Sequence, residues 1–260
     1  MKISIITVCY NSSKTIARTI ESVLAQNDVC LEYLIIDGAS KDNTVPIAES
    51  YRQRFESKGV SYIVNSEPDK GIYDAMNKGV QLATGDVIGI LNSDDCYATT
   101  DILSTVAKGF EENEIETLYG NLLYVKNDRP FRYWRSGNFH SFKKGWMPPH
   151  PTFFVKKSVY EKYGLFRLDC GTAADYELML RVLEKNKVTT TWIDKIFIYM
   201  EAGGASGADL SAYRKAHFFD KYAWKCNDLS LPFLCAWLKK IRKIKQFIIP
   251  RNIKKSKNEL

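Results

Sequence analysis

The chain has 260 residues, of which 45% are hydrophobic and 26% charged, a composition typical of a globular protein with one large domain or one domain and an appendage. Nine of its 37 Lys and Arg residues lie from Trp237 onward with one acidic residue, which leaves 28 basic and 29 acidic residues before it. This near-neutral body excludes a nucleic-acid-binding surface spread over the fold, so no nucleic acid partner is expected.

The six cysteines form no CxxC pair and no metal-finger spacing, which is typical of proteins in a reducing cytoplasm. The apolar run at residues 3–8 is too short for a signal peptide. No window approaches the roughly 18 apolar residues that a membrane-spanning helix needs. A cytoplasmic location is therefore expected.

Strands and helices are predicted to alternate along the first hundred residues. The strands are β-branched or apolar runs, and the first helix carries an apolar stripe at helical spacing, formed by Ile16, Ile20, Val23 and Leu24. The predicted order is strand 2–9, helix from 16, strand 31–36, helix 44–55, strand 61–64, helix 72–83 and strand 87–91. Such alternation predicts a parallel sheet covered by helices on both faces.

The fourth predicted strand ends abruptly in Asn92, Ser93, Asp94 and Asp95. Adjacent carboxylates repel each other unless a cation or donated hydrogen bonds offset the repulsion. Open α/β sheets bind ligands at the carboxyl ends of their strands. The pattern therefore predicts a divalent metal and a phosphorylated ligand here, with an ordinary acidic turn as the alternative.

Four blocks in register, at residues 4–11, 36–44, 67–79 and 91–95, resemble glycosyltransferase family 2, in particular bacterial enzymes that build exopolysaccharide or O-antigen repeat units. The resemblance implies an α/β fold of the GT-A type, with a Rossmann-like, mostly parallel central sheet flanked by helices. It places a GT-A domain at 1–205, divided into a nucleotide-sugar-binding half (1–98) and an acceptor half (99–205). A helical, basic C-terminal appendage at 206–260 follows.

The resemblance also assigns roles in binding the donor. Val8, through its backbone, and Tyr10 line the nucleobase pocket, Asp37 hydrogen-bonds uracil or ribose, and Asp94 contacts the ribose. From the residues alone, Tyr10 could equally be a core aromatic and Asp37 a turn residue before Gly38.

The position of Asp95 binds the metal that bridges the diphosphate in the family. Asn92 stands where many members have the first acid of an Asp-x-Asp-Asp run, which leaves fewer carboxylates for the ion. The expected cofactor is Mn²⁺ or Mg²⁺, and magnesium needs only one or two protein carboxylates. The cation would offset the charge of the departing nucleoside diphosphate.

Asp175 matches the catalytic base of the inverting members. A carboxylate that takes the proton of an attacking hydroxyl typically accelerates transfer about 10²–10⁴-fold. Residues 176–183 read as an amphipathic helix that holds Asp175 in place. Helix N-capping is the alternative role for this aspartate.

Residues 129–146 are rich in aromatic and basic side chains and are a candidate acceptor lip, with ordinary loop packing as the alternative. The glycine-rich stretch 203–207 is a candidate hinge that closes over the donor.

The C-terminal run has helical periodicity. Its two predicted faces are Leu234, Trp237, Leu238, Ile241, Ile244 and Ile248 on the apolar side, and Lys239, Lys240, Arg242, Lys243 and Lys245 on the basic side. A basic amphipathic helix of this kind favours an anionic membrane surface. The alternative is a helix that packs on the body or on a second subunit of a homo-oligomer.

These observations predict an inverting, metal-dependent glycosyltransferase at the inner face of the cell membrane. It would move a hexosyl or N-acetylhexosaminyl group from a nucleotide diphosphate-sugar, with UDP the expected nucleotide, to a glycan or a polyprenyl-diphosphate-linked saccharide in cell-surface polysaccharide biosynthesis. A catalytically inactive nucleotide-sugar-binding protein is the alternative. A dinucleotide-dependent oxidoreductase is disfavoured because the first turn has no GxGxxG.

Overall fold

The computed structural model describes residues 1–127, 129–202, 210–230, 235–248 and 253. Within that part of the chain, nine strands form one sheet in the order β3-β2-β1-β4-β8-β6-β9-β5, with β7 paired to β6. The strands are β1 (Lys2–Cys9), β2 (Cys30–Asp37), β3 (Ser61–Ser66), β4 (Val87–Asn92), β5 (Asp95–Tyr97), β6 (Thr117–Lys126), β7 (Arg129–Trp134), β8 (Phe153–Lys156) and β9 (Thr190–Glu201).

Helices cover both faces of this sheet. The α-helices are α1 (Ile16–Leu24), α2 (Thr44–Ser50), α3 (Arg52–Glu56), α4 (Ile72–Leu82), α5 (Ile102–Glu111), α6 (Lys157–Tyr163), α7 (Ala174–Met179), α8 (Leu210–Lys225) and α9 (Cys235–Lys245). Short 3₁₀ turns occupy Phe142–Lys144, His150–Thr152 and Leu168–Ala173, and α7 continues into a π-helical turn at Leu180–Lys185. Apolar cores lie on each side of the sheet. The predicted α/β class is confirmed.

The N-terminal half is the parallel sheet that the sequence predicts. Strand β1 pairs in parallel with β2 and with β4, and β2 pairs in parallel with β3. Strand β4 is buried on both faces until Asn92, as its continuous apolar run predicts. The single helix predicted for 44–55 is two helices, α2 and α3, which meet at Tyr51.

The second half of the sheet is mixed. Strand β8 runs antiparallel to both β4 and β6, whereas β6 and β9 are parallel. The short strand β5, which begins at Asp95, pairs antiparallel with β9. Sequence patterns did not predict β5, because three residues are too few to show a strand period. Its pairing fixes the backbone of Asp95 immediately after the strand-end turn.

Helix α8 is anchored in the body of the protein. Trp224 is fully buried, and its indole N–H donates to the hydroxyl of Tyr176 at 2.9 Å. Asn227, just beyond α8, donates to the buried carboxylate of Glu177 at 2.9 Å. The C-terminal segment therefore packs directly on α7, the helix that carries Asp175.

Helix α9 lies against the loop at Gly145. A Cβ on Gly145 would lie 2.5 Å from the backbone nitrogen of Lys239, and the φ angle of Gly145 is +68°, so only glycine permits this approach. Ile241 and Ile244 of α9, and Ile248 three residues beyond its end, are nevertheless exposed and form what we call the exposed edge of α9. The helix therefore packs on the body through one side and leaves an apolar edge uncovered.

Several sequence-based expectations fall outside the described residues. These are the domain boundary at residue 205, the proposed hinge at 203–207, Leu234, and the side chains of Trp237, Lys240 and Lys245. No helix in the described part of the chain has the length and apolar character to cross a bilayer.

Candidate functional site

A crevice of about 1020 Å³ opens where the parallel strands end, and we call it the strand-end crevice. Val8, Tyr10 and Asp94 line it, together with residues from the loop after β3 and from β7. Parallel strands present their carboxyl ends at one edge, so these distant positions converge as the topology requires. Three of the predicted donor-binding residues thus share one crevice.

Tyr10 stands at the mouth of the crevice with 61% of its surface exposed, which rules out a core role. Its ring lies close to Gly38 and to the carboxylate of Asp69. A Cβ on Gly38 would lie 2.5 Å from an oxygen of Asp69 and 3.4 Å from the Tyr10 ring. Glycine at position 38 therefore lets three strand-end loops meet around an exposed aromatic face.

Asp37 is buried at the end of β2 and has its hydrogen-bonding capacity occupied by the protein. It accepts from the backbone N–H of Ser40 at 2.9 Å, from the Ser40 hydroxyl, and from the Ser66 hydroxyl at 2.6 Å. Asp37 therefore braces two loops of the crevice. Its predicted contact with uracil or ribose stays a prediction, and Asp69 presents a carboxylate to the crevice instead.

Asp95 is fully buried behind the crevice. One of its oxygens accepts from the side-chain amide of Asn92 at 2.9 Å. Its other oxygen, Oδ1, and the amide oxygen of Asn92 are both buried and have no hydrogen-bond partner among the described residues. Burial raises the pKa of Asp95, and the nearby charge of Asp94 raises it further. Two unsatisfied oxygens in such a place fit a cation.

The described residues contain no group of three or more His, Cys, Asp or Glu side chains that could enclose a metal. The residues that fit a hard cation are therefore Asp95, with Asn92 beside it. This is the small donor set of an ion that keeps several waters or takes oxygens from a phosphate ligand.

Asp175 lines a second cavity of about 470 Å³, which we call the Asp175 cavity. Asp175 lies in the first turn of α7, but the N-cap is Ala173 and no side chain caps the helix. The capping role considered from the sequence is therefore wrong. One oxygen of Asp175 accepts from the Tyr73 hydroxyl at 3.1 Å and from the N–H of Tyr176 at 2.8 Å. Its other oxygen accepts from no described residue.

Tyr124, on β6, lines the strand-end crevice. Burial raises the pKa of its hydroxyl, Arg132 opposes the rise, and both Asp95 and Asp175 add to it. Strand β7 borders both cavities, because Phe131 and Arg132 line the strand-end crevice and the next two residues, Tyr133 and Trp134, line the Asp175 cavity. The two cavities are thus neighbours, with Arg132 at their junction.

Aromatic and basic side chains form the walls of the Asp175 cavity. Trp134 and Trp146 come from the stretch 129–146 that the sequence marks as an acceptor lip. Lys239 and Arg242 come from α9. The ammonium group of Lys239 lies 3.5 Å from the centre of the Tyr176 ring and pairs with Asp220 at 2.8 Å. This basic side of α9 therefore faces the protein as well as solvent.

Sequence reasoning missed several site residues. Asp69 follows the third parallel strand, so the rule that selected Asp37 and Asp94 could have found it. Tyr73 lies within the block at residues 67–79, whose pattern gives it no role by itself. Arg132 lies in the predicted acceptor lip and Arg242 on the predicted basic face, but the sequence could not place either at the site, because only tertiary packing brings β7 and α9 there.

A parallel sheet with an acidic crevice at its strand ends, joined to a mixed half that carries a further carboxylate, defines a glycosyltransferase of the GT-A fold. The chain belongs to glycosyltransferase family 2, since the model of that family, described as "Glycosyl transferase family 2", matches residues 4–173. The family and the fold expected from the four sequence blocks are confirmed.

Curated relatives are bacterial glycosyltransferases. An uncharacterized glycosyltransferase of Mycobacterium tuberculosis is 33% identical over 189 residues, which cover 69% of this chain and 68% of the relative. A PGL/p-HBAD biosynthesis glycosyltransferase of Mycobacterium bovis is 28% identical over 207 residues, covering 78% of each protein.

Solved structures agree in fold. TarS 1-349 of S. aureus in complex with UDP-GlcNAc superimposes with a TM-score of 0.70 at 19% identity, covering 93% of this chain and 69% of that one. The mannosyltransferase PcManGT of Pyrobaculum calidifontis, in complex with GDP-Man and Mn²⁺, gives a TM-score of 0.61 at 15% identity, covering 92% and 72%. At these sequence identities, the likeness shows a shared fold and nothing more.

Proposed function

We propose that this glycosyltransferase is an inverting, metal-dependent enzyme that moves a hexosyl or N-acetylhexosaminyl group from a UDP-sugar to a saccharide acceptor in cell-surface polysaccharide biosynthesis. The observation that carries the proposal is the junction of the strand-end crevice with the Asp175 cavity. It places a nucleotide-binding edge beside a carboxylate with an unoccupied oxygen.

The donor lies in the strand-end crevice. Its base packs against the exposed ring of Tyr10 and the backbone of Val8, and its ribose reaches Asp94. Uracil is supported by the UDP-GlcNAc complex of TarS, a neighbour in fold. Asp37 takes part through the loops that it braces.

Asp95 and Asn92 hold a divalent cation, Mn²⁺ or Mg²⁺. When bound, such an ion offsets the charge of the departing diphosphate. The two buried, unpartnered oxygens of Asn92 and Asp95 support this assignment. PcManGT, a distant neighbour in fold, was solved with Mn²⁺.

Asp175 is the catalytic base. The acceptor hydroxyl attacks the anomeric carbon, a new C–O bond forms, and the bond from that carbon to the diphosphate oxygen breaks. The hydroxyl proton passes to the unoccupied oxygen of Asp175, and the electron pair of the broken bond leaves with the nucleoside diphosphate. Because attack comes from the face opposite the leaving group, the anomeric configuration inverts.

The acceptor occupies the Asp175 cavity. Its aromatic walls pack against sugar rings, and its basic side chains from α9 favour an acceptor that carries phosphate. A saccharide linked to polyprenyl diphosphate has both features. The exposed apolar edge of α9 would then rest on the inner face of the membrane that carries this lipid.

A panel of UDP-, GDP- and dTDP-sugars tests the proposal, with transfer to a membrane extract and donor hydrolysis measured with and without Mn²⁺. Wild-type protein should use a UDP-sugar, and the Asp95→Ala variant should lose the response to Mn²⁺. The Asp175→Asn variant should bind donor normally and lose about 10²–10⁴-fold in transfer rate.

Each arm has an outcome that contradicts the proposal. Normal transfer by Asp175→Asn would reject the base assignment, and an unchanged Mn²⁺ response in Asp95→Ala would reject the metal site. Tight donor binding by wild-type protein without turnover on any acceptor would favour the inactive sugar-nucleotide-binding protein.

A further inference from the structure

Arg132 occupies the junction of the two cavities and has no role among the functions described above. It projects from β7 into the lining of the strand-end crevice, where Lys14 is the other basic lining residue in the described part of the chain. Lys14 is exposed, whereas Arg132 is partly buried. Of the two basic side chains in the crevice, Arg132 is therefore the one that the protein partly encloses, and Lys14 is open to solvent.

The guanidinium group of Arg132 is fixed by aromatic rings. Its central carbon lies 3.8 Å from the ring centre of Tyr124, 5.9 Å from Trp134 and 6.0 Å from Phe247. Such stacking holds the plane of the group and leaves its edge free to donate hydrogen bonds. Arg132 is therefore oriented before any ligand arrives.

No carboxylate neutralises this cation within the described residues. Its Nε is buried and has no hydrogen-bond partner there. Other arginines of the region are occupied: Arg18 donates to the backbone oxygen of Asp94 at 2.9 Å, and Arg135 is paired with Asp194. A buried donor without a partner is costly, which indicates that a ligand satisfies it.

We propose that Arg132 binds the diphosphate of the nucleotide donor and is a catalytic residue of the transfer. This inference rests on the proposed function of the crevice. A planar guanidinium donates two parallel hydrogen bonds to phosphate oxygens. When the bond between the anomeric carbon and the diphosphate breaks, the electron pair moves to a phosphate oxygen, and Arg132 offsets that charge.

The C-terminal segment holds Arg132 in this place. Phe247 stacks edge-to-face on Phe131 with ring centres 5.7 Å apart, and the carbonyl of Gln246 accepts from the N–H of Tyr133 at 2.8 Å. Both neighbours of Arg132 on β7 are thus bound to the residues that follow α9. Phe247 is accordingly a positioning residue for the diphosphate contact.

Calorimetric titration with nucleotides tests the inference, carried out in EDTA so that no metal contributes. UDP, GDP and dTDP are titrated into wild-type protein, and the tightest is then compared with its monophosphate. The Arg132→Met variant keeps an apolar stem against Tyr124 but has no charge. It should lose about ten-fold or more in affinity for the diphosphate, and far less for the monophosphate. The Arg132→Lys variant should fall between the two.

The Arg129→Met variant is the matched control, since Arg129 is an exposed residue of the same strand outside the crevice. It should bind both nucleotides like wild type. Equal diphosphate affinity in Arg132→Met and wild type would overturn the inference. An equal loss for monophosphate and diphosphate would also overturn it, because Arg132 would then support only the shape of the crevice. If wild-type protein binds a diphosphate only when Mn²⁺ replaces EDTA, the same comparison of the Arg132 and Arg129 variants is made in Mn²⁺. If none of the three diphosphates binds wild-type protein in either condition, the proposed function fails first and the inference with it.

Discussion

The strand-end crevice and the Asp175 cavity are neighbours, but they are built in different ways. The predicted crevice residues Val8, Tyr10 and Asp94 lie at or just after the ends of parallel strands within the first hundred residues, so the topology of the sheet brings them together. The Asp175 cavity collects segments from β7, α7, α8 and α9, which are far apart in sequence. The first site is a property of the sheet, whereas the second depends on how the C-terminal helices pack.

The two sites also differ in charge. Acidic side chains line the strand-end crevice at Asp42, Asp69 and Asp94, with Asp95 behind them, so an anionic nucleotide needs cations to bind there. The Asp175 cavity has Lys239 and Arg242 in its wall and can attract an anionic group directly. This contrast fits the proposal of a metal-dependent donor site beside an acceptor site that requires no metal of its own.

The largest effect that would separate the two sites is expected for Trp224→Ala. Trp224 is fully buried under α7 and hydrogen-bonds Tyr176, so its removal should destabilise the protein by about 3–5 kcal/mol. In the protein that remains folded, sugar transfer should fall while UDP affinity stays close to that of wild type. Thermal unfolding, UDP titration and a transfer assay measure the three quantities.

Phe218→Ala is the control for this prediction, because Phe218 lies on the same helix with 63% of its surface exposed. Its stability should remain within about 0.5 kcal/mol of wild type. A parallel loss of UDP affinity in Trp224→Ala would show that the two sites form one cooperative unit, contrary to the comparison above.

A smaller effect is expected at Tyr73, the residue that connects the two halves. Tyr73 belongs to α4 in the N-terminal half of the chain, and its hydroxyl donates to Asp175 on α7. The Tyr73→Phe variant should lose about three- to ten-fold in transfer rate, the value of one hydrogen bond that orients the base, and keep its UDP affinity. The transfer rate and the UDP affinity are both measured, and only the transfer rate should fall.

Tyr163→Phe provides a control at a tyrosine of α6, the helix that follows β8. It should leave the transfer rate unchanged. If Tyr73→Phe instead weakened UDP binding and preserved turnover at saturating donor, Tyr73 would belong functionally to the crevice and not to the base.

The difference in construction explains what the sequence could predict. Strand periodicity and the acidic ends of strands predicted the parallel half and the convergence of Tyr10 with Asp94, because a parallel sheet leaves no other arrangement. Asp95 was predicted beside Asp94 as a ligand, but its burial comes from pairing of β5 with β9, a contact across about a hundred residues. No local pattern encodes that pairing.

The sequence could predict even less of the proposed acceptor half. The aromatic and basic content of 129–146 indicated a lip, yet it could not show that Trp146 is buried while Trp134 is partly open. The periodicity of the C-terminal run predicted the helix and its two faces. It could not show that Lys239 turns toward Tyr176 and Asp220, since that contact depends on the docking of α9 at Gly145.

The smallest effect concerns the exposed edge of α9, at the outer end of the Asp175 cavity. Ile244 and Ile248 are 68% and 76% exposed, although Arg242 in the same segment contacts the body through the carbonyl of Lys144 at 3.1 Å. Burial of this edge in the interface of an anionic membrane would remove apolar surface from water and bring the basic side chains near lipid phosphates. Ile248→Ser should therefore weaken binding to vesicles containing phosphatidylglycerol by about two- to five-fold, since only part of one side chain is lost.

Leu82→Ser is the matched change on the opposite half of the molecule, because Leu82 is an exposed apolar residue of α4 with 42% of its surface accessible. Vesicle co-sedimentation should give it the wild-type affinity. Equal weakening by both substitutions would mean that apolar exposure in general causes adsorption. Undiminished vesicle binding by Ile248→Ser would reject the membrane role of this edge, and a dimer in solution that Ile248→Ser dissociates would assign it to a second subunit. In that case the basic wall of the Asp175 cavity would still select an anionic acceptor, but the membrane would not present it through this helix.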